Sequence, residues 1–414
     1  MAYTETTTIG YGSRVGNSFR SIGTGFLLFI AGTALLWWNE GRVVKTDKML
    51  YEAEGVTVEL ETIDRINPEM DGKLVHATGF ANTEDSLVDA QFGIGATAIR
   101  LARDVEYYQW VEHSQEQHKD KLGGSEEIVI TYTYTKEWTS EPEESSLFHD
   151  PAYKKKNFVL AEATPDSWQA EKVTFGAFVL NERQIRSMSG DEPVKLSFDS
   201  LALDSRNKEL RQVLHRQAGG NTDSLQLVHV SNNHLYYGIS PSSPDVGDVR
   251  ITWTKVMPAK VTIIAKQTGD SFASFKAKNG KTFSTLVMGT RDAAEIYEGA
   301  HQSNHLLMWM LRFLGVLLVI IGLNGIFGIL ETVLKVVPFL ANIIGWGVGL
   351  VCMVTGLVWS LIIIALAWLF YRPLIGIGLL AIAALLIWFF AFRGKVKLKQ
   401  MTAQNRGQNQ QNYI

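Results

Sequence analysis

Apolar positions along this chain gather into four long runs, and between the first and second lies a segment, residues 39–304, in which apolar and polar positions alternate. Ser21–Trp38 is uncharged and almost wholly apolar. About 18–20 such residues span the ~30 Å hydrocarbon core of a bilayer as a helix. The run ends in Trp37-Trp38-Asn39-Glu40, a poor setting for signal-peptide cleavage, so it reads as a retained anchor. Leu306–Leu330 is interrupted only by Arg312, Ile343–Phe370 has no charge, and Pro373–Phe392 follows after Tyr371-Arg372. The pattern predicts four membrane helices over 21–38, 305–330, 343–370 and 373–392, the last two forming a tight hairpin. Residues 331–342 form an amphipathic linker broken by Pro338, expected to lie along the cytoplasmic membrane surface.

Inside 39–304 the period changes to two. Ile128, Ile130, Tyr132 and Tyr134 alternate with Val129, Thr131, Thr133 and Thr135, as in a half-buried strand. With the arm from Val105 onward and the glycines Gly123 and Gly124 between, this predicts a long hairpin. Further strands are expected over 72–79, 172–180, 226–231, 249–254 and 261–267, with a turn at Asn279-Gly280 between Phe275 and Phe283. Helices are fewer. Asn181 is placed to cap one; 205–215 has helical spacing; 291–303 is expected to run straight into the second span. The fold class that results is α+β: a polytopic membrane protein with four transmembrane helices and a large β-rich domain inserted between helices 1 and 2.

Charge divides the chain in the same places. Residues 43–304 hold 28 Lys/Arg against 39 Asp/Glu, whereas 305–414 hold eight against Glu331 alone. Positive charge near span ends stays on the cytoplasmic side. The cluster Arg393, Lys395, Lys397 and Lys399 therefore marks 393–414, a Gln/Asn-rich tail, as cytoplasmic. Four spans then put residues 1–20 on that side and 39–304 opposite, in a periplasm or an organelle lumen. Arg42, Lys45 and Lys48 after the first span pull the other way, but the C-terminal cluster is denser and unopposed. The single cysteine, Cys352, excludes disulfides and cysteine-based zinc sites from the large domain.

Signs of chemistry are sparse. The chain lacks a Gly-rich phosphate loop, a G-x-S-x-G elbow and an H-E-x-x-H motif. Glu298, His301 and His305 share a helix face, as metal ligands do, but they read as the polar face of an interfacial helix, so no metal or other cofactor is expected. His113, His118 and the run Lys154–Lys156 read as solvated. Gly315 and Gly322, two turns apart, and Gly345 and Gly349, one turn apart, suit close helix packing. Arg312, inside its span but near the end, is expected to snorkel to the interface.

Ordered blocks of sequence complete the picture: Asn39-Glu40-Gly41-Arg42, PEMDGKLVHATG (68–79), VEYYQWVE (105–112), YTYTKEW (132–138), PDVGDVRITW (244–253) and AWLFYRPL (367–374). In these the chain resembles the transmembrane protein 43 family, also called LUMA. That resemblance implies four spans with a large domain between the first two, no catalytic residue set, and a role as a membrane organiser. The expected function is a scaffold binding membrane proteins or itself, a homo-oligomer in a lipid bilayer with no nucleic-acid partner. A lipid-handling protein is the alternative, and an uncharacterised membrane enzyme the third reading. The missing N-glycosylation sequon in the large domain points to a bacterial inner membrane with a periplasmic domain, and the animal relatives to the endoplasmic reticulum and inner nuclear membrane instead.

Overall fold

The computed structural model describes residues 3–334 and 338–373. The principal strands are β1 (Tyr3–Ile9), β2 (Leu74–Asn82), β3 (Arg100–Asp120), β4 (Glu126–Thr139), β5 (Val228–Val230), β6 (His234–Tyr237), β7 (Val249–Val256), β8 (Ala259–Thr268) and β9 (Thr285–Met288). The helices are α1 (Tyr11–Val56), α2 (Glu182–Ser187), α3 (Ser200–Ala218), α4 (Ala293–Leu334) and α5 (Pro338–Tyr371). They fall into two compact units. One comprises Met1–Gly10, Met49–Lys121 and Ser125–Ala300; the other comprises Tyr11–Lys48, Leu122–Gly124 and the described residues from His301 onward.

The first unit is built on two sheets. An eight-stranded sheet has the order β1-β4-β3-β7-β6-β5, with short strands at Asp166–Gln169 beside β3 and Asp191–Pro193 beside β7. β3 and β4 form the expected hairpin, paired from Tyr107↔Thr139 to Asp120↔Glu126. Gly123 and Gly124 at its tip have φ of +87° and +83°, a conformation that costs glycine little and other residues more. One face of this sheet carries a core around Trp253, Leu101, Val105, Tyr107, Ile251 and Leu210. Arg103 is buried in it, held by Asp89 at 2.8 and 2.9 Å, by the Thr164 carbonyl at 2.8 Å and by the Phe92 and Trp168 rings. Trp253 Nε1 donates to the same Asp89 carboxylate at 2.9 Å. Every polar atom of a buried charge must find such partners, because desolvation alone costs several kcal/mol per ion.

In the second sheet β8 lies between β2 and β9, antiparallel to both. Its residues 261–265 are buried without alternation because both faces are covered. Val261, Ile263 and Ala265 enter one cluster with Phe175, Phe178 and Phe272; Ile264 enters another with Met49, Leu50, Ala53 and Tyr297. Each such aliphatic side chain contributes about 1.5–3 kcal/mol by leaving water. The stretch 172–180, expected as one strand, is two short ones, Thr174–Phe175 and Phe178–Val179, folded on each other. Gly176, at φ +60°, makes the turn between them. Asn181 caps α2 through a reciprocal box with Gln184, and Phe275 pairs Phe283 across the Asn279-Gly280 turn.

Residues 3–9 do not form a free tail. They are an edge strand, paired from Tyr3↔Tyr132 to Ile9↔Glu126. Charge counting separates 1–20 from 39–304, and the pairing joins 3–9 to 126–132.

The second unit holds α1, α4 and α5. Three helices are long and apolar enough to cross a membrane, within Tyr11–Val56, Ala293–Leu330 and Gly347–Tyr371. Phe26, Leu27, Leu306, Met310, Phe313 and Leu361 are exposed on them, as lipid-facing side chains are. The expected linker 331–342 is mostly helix: α4 reaches Leu334 and α5 starts at Pro338, a first-turn position where the missing N–H costs nothing. The expected fourth span, 373–392, lies outside the described residues but for Pro373.

Candidate functional site

The densest polar cluster of the helical unit is built from the Asn39-Glu40-Gly41-Arg42 segment of α1. Glu40 is 1 % exposed and Arg312, on α4, 8 % exposed. Arg312 Nε donates to Glu40 Oε1 at 2.6 Å and Nη2 to Oε2 at 2.9 Å, a two-pronged charged pair. Trp368 of α5 donates its Nε1–H to Glu40 Oε2 at 2.8 Å. The Trp309 and Trp368 rings lie 4.9 and 5.6 Å from the guanidinium carbon. The three helices thus meet on one carboxylate. Arg312 does not snorkel as expected: it turns inward, because pairing offsets the cost of an ion away from water better than a partial reach to the interface.

The network continues through the neighbouring residues of α1 and on to Asp47. Asn39 donates to the Met308 carbonyl at 3.0 Å and accepts from Arg42 Nε at 3.3 Å. Arg42 Nη1 donates to Asn304 Oδ1 at 2.9 Å, and Asn304 Nδ2 donates to Asp47 Oδ1 at 2.8 Å. His301 Nδ1 is 3.4 Å from Asp47 Oδ1, and Arg372 Nη2 is 3.5 Å from Asp47 Oδ2. Gly41 is fixed sterically: a Cβ there would stand 2.6–2.9 Å from the Tyr371 ring. Tyr371 also meets Trp37, ring centroids 6.0 Å apart.

Below this cluster the helices approach through glycine. A Cβ on Gly25 would lie 2.7–2.8 Å from backbone at Gly322, Gly325 and Ile326; one on Gly32 would lie 2.8–2.9 Å from atoms of Gly315, Leu318 and Val319. Gly315 and Gly322 are therefore at the α1–α4 contact, with Gly25 and Gly32, seven residues apart on α1, opposite them. Among the described residues nothing lies within 4 Å of a Cβ built on Gly349. Gly345 is in α5. Arg393, Lys395, Lys397 and Lys399 lie outside the described residues.

The weak metal candidates do not converge. His301 faces Asp47, while Glu298 and His305 are exposed. Among the described residues no three His, Cys, Asp or Glu side chains are grouped to hold a metal ion. On the hairpin, His113 meets Glu137 at 2.9 Å and His118 meets Glu126 at 3.0 Å. Sequence reasoning missed His76 of the HATG block. Its Nδ1 is 2.5 Å from Glu59 and its Nε2 2.9 Å from the Arg291 carbonyl. It missed Glu40 as well, whose partners Arg312 and Trp368 are too far along the chain for any local pattern to join.

The two sequence segments that meet here, 39–42 and 367–372, belong to an integral membrane protein of the multi-pass type carrying a large β-rich domain. The comparisons sharpen that class. The family model for transmembrane protein 43 matches residues 107–373, and the chain belongs to that family. It is 28 % identical over 397 residues to transmembrane protein 43 of Rattus norvegicus, covering 91 % of this chain and 92 % of the relative. It is 29 % identical over 378 residues to that of Homo sapiens, covering 88 % of each. The transmembrane protein 43 homolog of Drosophila melanogaster is 25 % identical over 374 residues, covering 88 % and 93 %. No solved structure matches the chain.

Proposed function

We propose that this protein is a membrane organiser, whose membrane helices form a fixed anchor and whose large unit binds other membrane proteins or a second copy. The observation that carries this reading is how the buried polar groups are used. Glu40, Arg312 and Trp368 are committed to one another, and Asn39, Arg42, Asn304 and Asp47 to a chain of hydrogen bonds between α1 and α4. A transport path needs ionisable groups facing water or substrate, and a catalytic centre needs a nucleophile or base within reach of an open cavity. A mutually satisfied set joining three helices serves holding. The relatives' printed name describes a transmembrane protein and no reaction, in keeping with this role. On this reading the large unit lies on the non-cytoplasmic side, which the basic cluster 393–399 supports through the positive-inside rule.

Purification of the full chain in mild detergent, with mass measurement and identification of copurifying proteins, tests the proposal. The expected result is a homo-oligomer or a recurrent membrane-protein partner, lost when Glu40→Gln and Arg312→Gln loosen the anchor. A monomer that brings no protein with it contradicts the proposal.

A further inference from the structure

Helix α3 carries Lys208, Arg211, Gln212, His215 and Arg216 along one side of a concavity of about 840 Å³. Their spacings of three, four, seven and eight put them on one helix face. Past the helix the chain doubles back through Gly219 and Gly220, with φ of +71° and +84°, and Asn221, Thr222 and Asp223 form the facing wall. The wall is tied down. Thr222 Oγ1 donates to the Arg211 carbonyl at 3.1 Å, and Arg211 Nε donates to the Leu225 carbonyl at 2.5 Å. His215 Nδ1 meets the Gly220 carbonyl at 2.7 Å. A carbonyl only accepts, so Nδ1 carries the hydrogen, and this bond fixes the ring against the turn.

The groove reverses the sign of its surroundings. Its one carboxylate is Asp223, and the nearby Glu209 is engaged by Arg206 at 2.9 Å. The chain from 43 to 304 is acidic by 28 Lys/Arg against 39 Asp/Glu. The helix dipole rewards cations at a C-terminus, but only within the last turn. That covers His215 and Arg216, and leaves Lys208 and Arg211, two turns upstream, unexplained by helix stability.

We propose that this groove binds the phosphate headgroup of an anionic phospholipid. A planar guanidinium pairs phosphate through two donors, and an ammonium adds a mobile point charge. Sites of about 300–1,000 Å³ are the usual size for small ligands, so a phosphorylated headgroup fits. The chemistry is that of any phosphate ester. The lipid is the source because a chain anchored by membrane helices meets lipid phosphate at high local concentration. This proposal is independent of the organiser role.

The test uses the full chain in mild detergent. Hydrogen exchange and binding are followed with dioctanoyl phosphatidic acid, with dioctanoyl phosphatidylcholine and with glycerol 3-phosphate, which has the phosphate without acyl chains. The expected result is protection of 208–225 by phosphatidic acid and affinity about tenfold or more above phosphatidylcholine, falling with added salt. The exposed double variant Lys208→Glu, Arg216→Glu should lose about tenfold or more of that affinity with its melting temperature unchanged. Equal affinity for the two lipids, or binding unchanged in the double variant, overturns the proposal. Glycerol 3-phosphate binding as tightly as phosphatidic acid overturns the lipid assignment and makes this a soluble-phosphate site.

Discussion

Single residues set where this protein tolerates change. Tyr134, at the base of the hairpin, donates its hydroxyl to Glu112 at 2.5 Å and stacks on Tyr153 at 4.1 Å. Burial, with Glu112 as its acceptor, pushes the Tyr134 hydroxyl up to about 12. Burial alone would raise the Glu112 carboxyl too, but hydrogen bonds from Tyr134 and from the backbone and ring of His149 outweigh it and hold Glu112 below its usual range. The signs differ. A raised tyrosine contributes stability that is complete below its ordinary value near 10 and lost as pH climbs towards about 12. The depressed Glu112 contributes above the ordinary carboxyl range and is lost on acidification. Absorbance titration of the tyrosines should therefore show a component near 12 to which Tyr134 and Tyr297 both contribute, and Tyr134→Phe should remove one group from it; a titration near 12 unchanged by the substitution would refute the placement. The aromatic alternation 128–134 was legible in the sequence as a strand. Its partners at 149 and 153 were not, since a loop that folds back carries no periodicity.

Elements follow local chemistry more faithfully than single contacts do. The hairpin, α2 with its Asn181 cap, and the helix running from 293 into the second span all follow from local pattern, turn glycines and capping residues. The full reach of α1, from Tyr11 to Val56, extends far past its apolar run, and its C-terminal flank is held by burial of Val43, Met49, Leu50 and Ala53 rather than by propensity. The α1–α4 contact was half legible. Gly315 and Gly322 were visible on one helix, but Gly25 and Gly32 opposite them gain meaning only once the helices are paired. A leucine at Gly322 would place its Cβ 2.5–2.8 Å from backbone of Gly25 and Phe29, so the helices must separate. Gly322→Leu should lower the melting temperature of the full chain and weaken crosslinking between cysteines at positions 29 and 319, while Gly349→Leu, with nothing described within 4 Å, leaves both unchanged. Equal effects of the two substitutions would dismiss the glycine contact.

At the scale of the whole molecule, the membrane class, the α+β domain and the family were legible because hydropathy and ordered motifs are long-range averages. Sidedness is less direct, since charge rules count residues and take no account of strand pairing. Thr6 is paired with Val129. In a Cys352→Ala background, single cysteines at 6 and 129 should therefore react with a membrane-impermeant thiol reagent from the same side; labelling from opposite sides would show that β1 is not held by β4 in the membrane. The central claim is that one buried ion pair fastens α1, α4 and α5. Removing a single partner of such a pair typically costs about 3–5 kcal/mol, because the other charge is left buried alone. The decisive measurement is a double-mutant cycle on Glu40 and Arg312, read as thermal stability of the full chain in detergent. Glu40→Gln and Arg312→Gln should each destabilise strongly, and the two together should cost far less than their sum. Single substitutions that melt like the unchanged chain, or effects that simply add, would contradict the account.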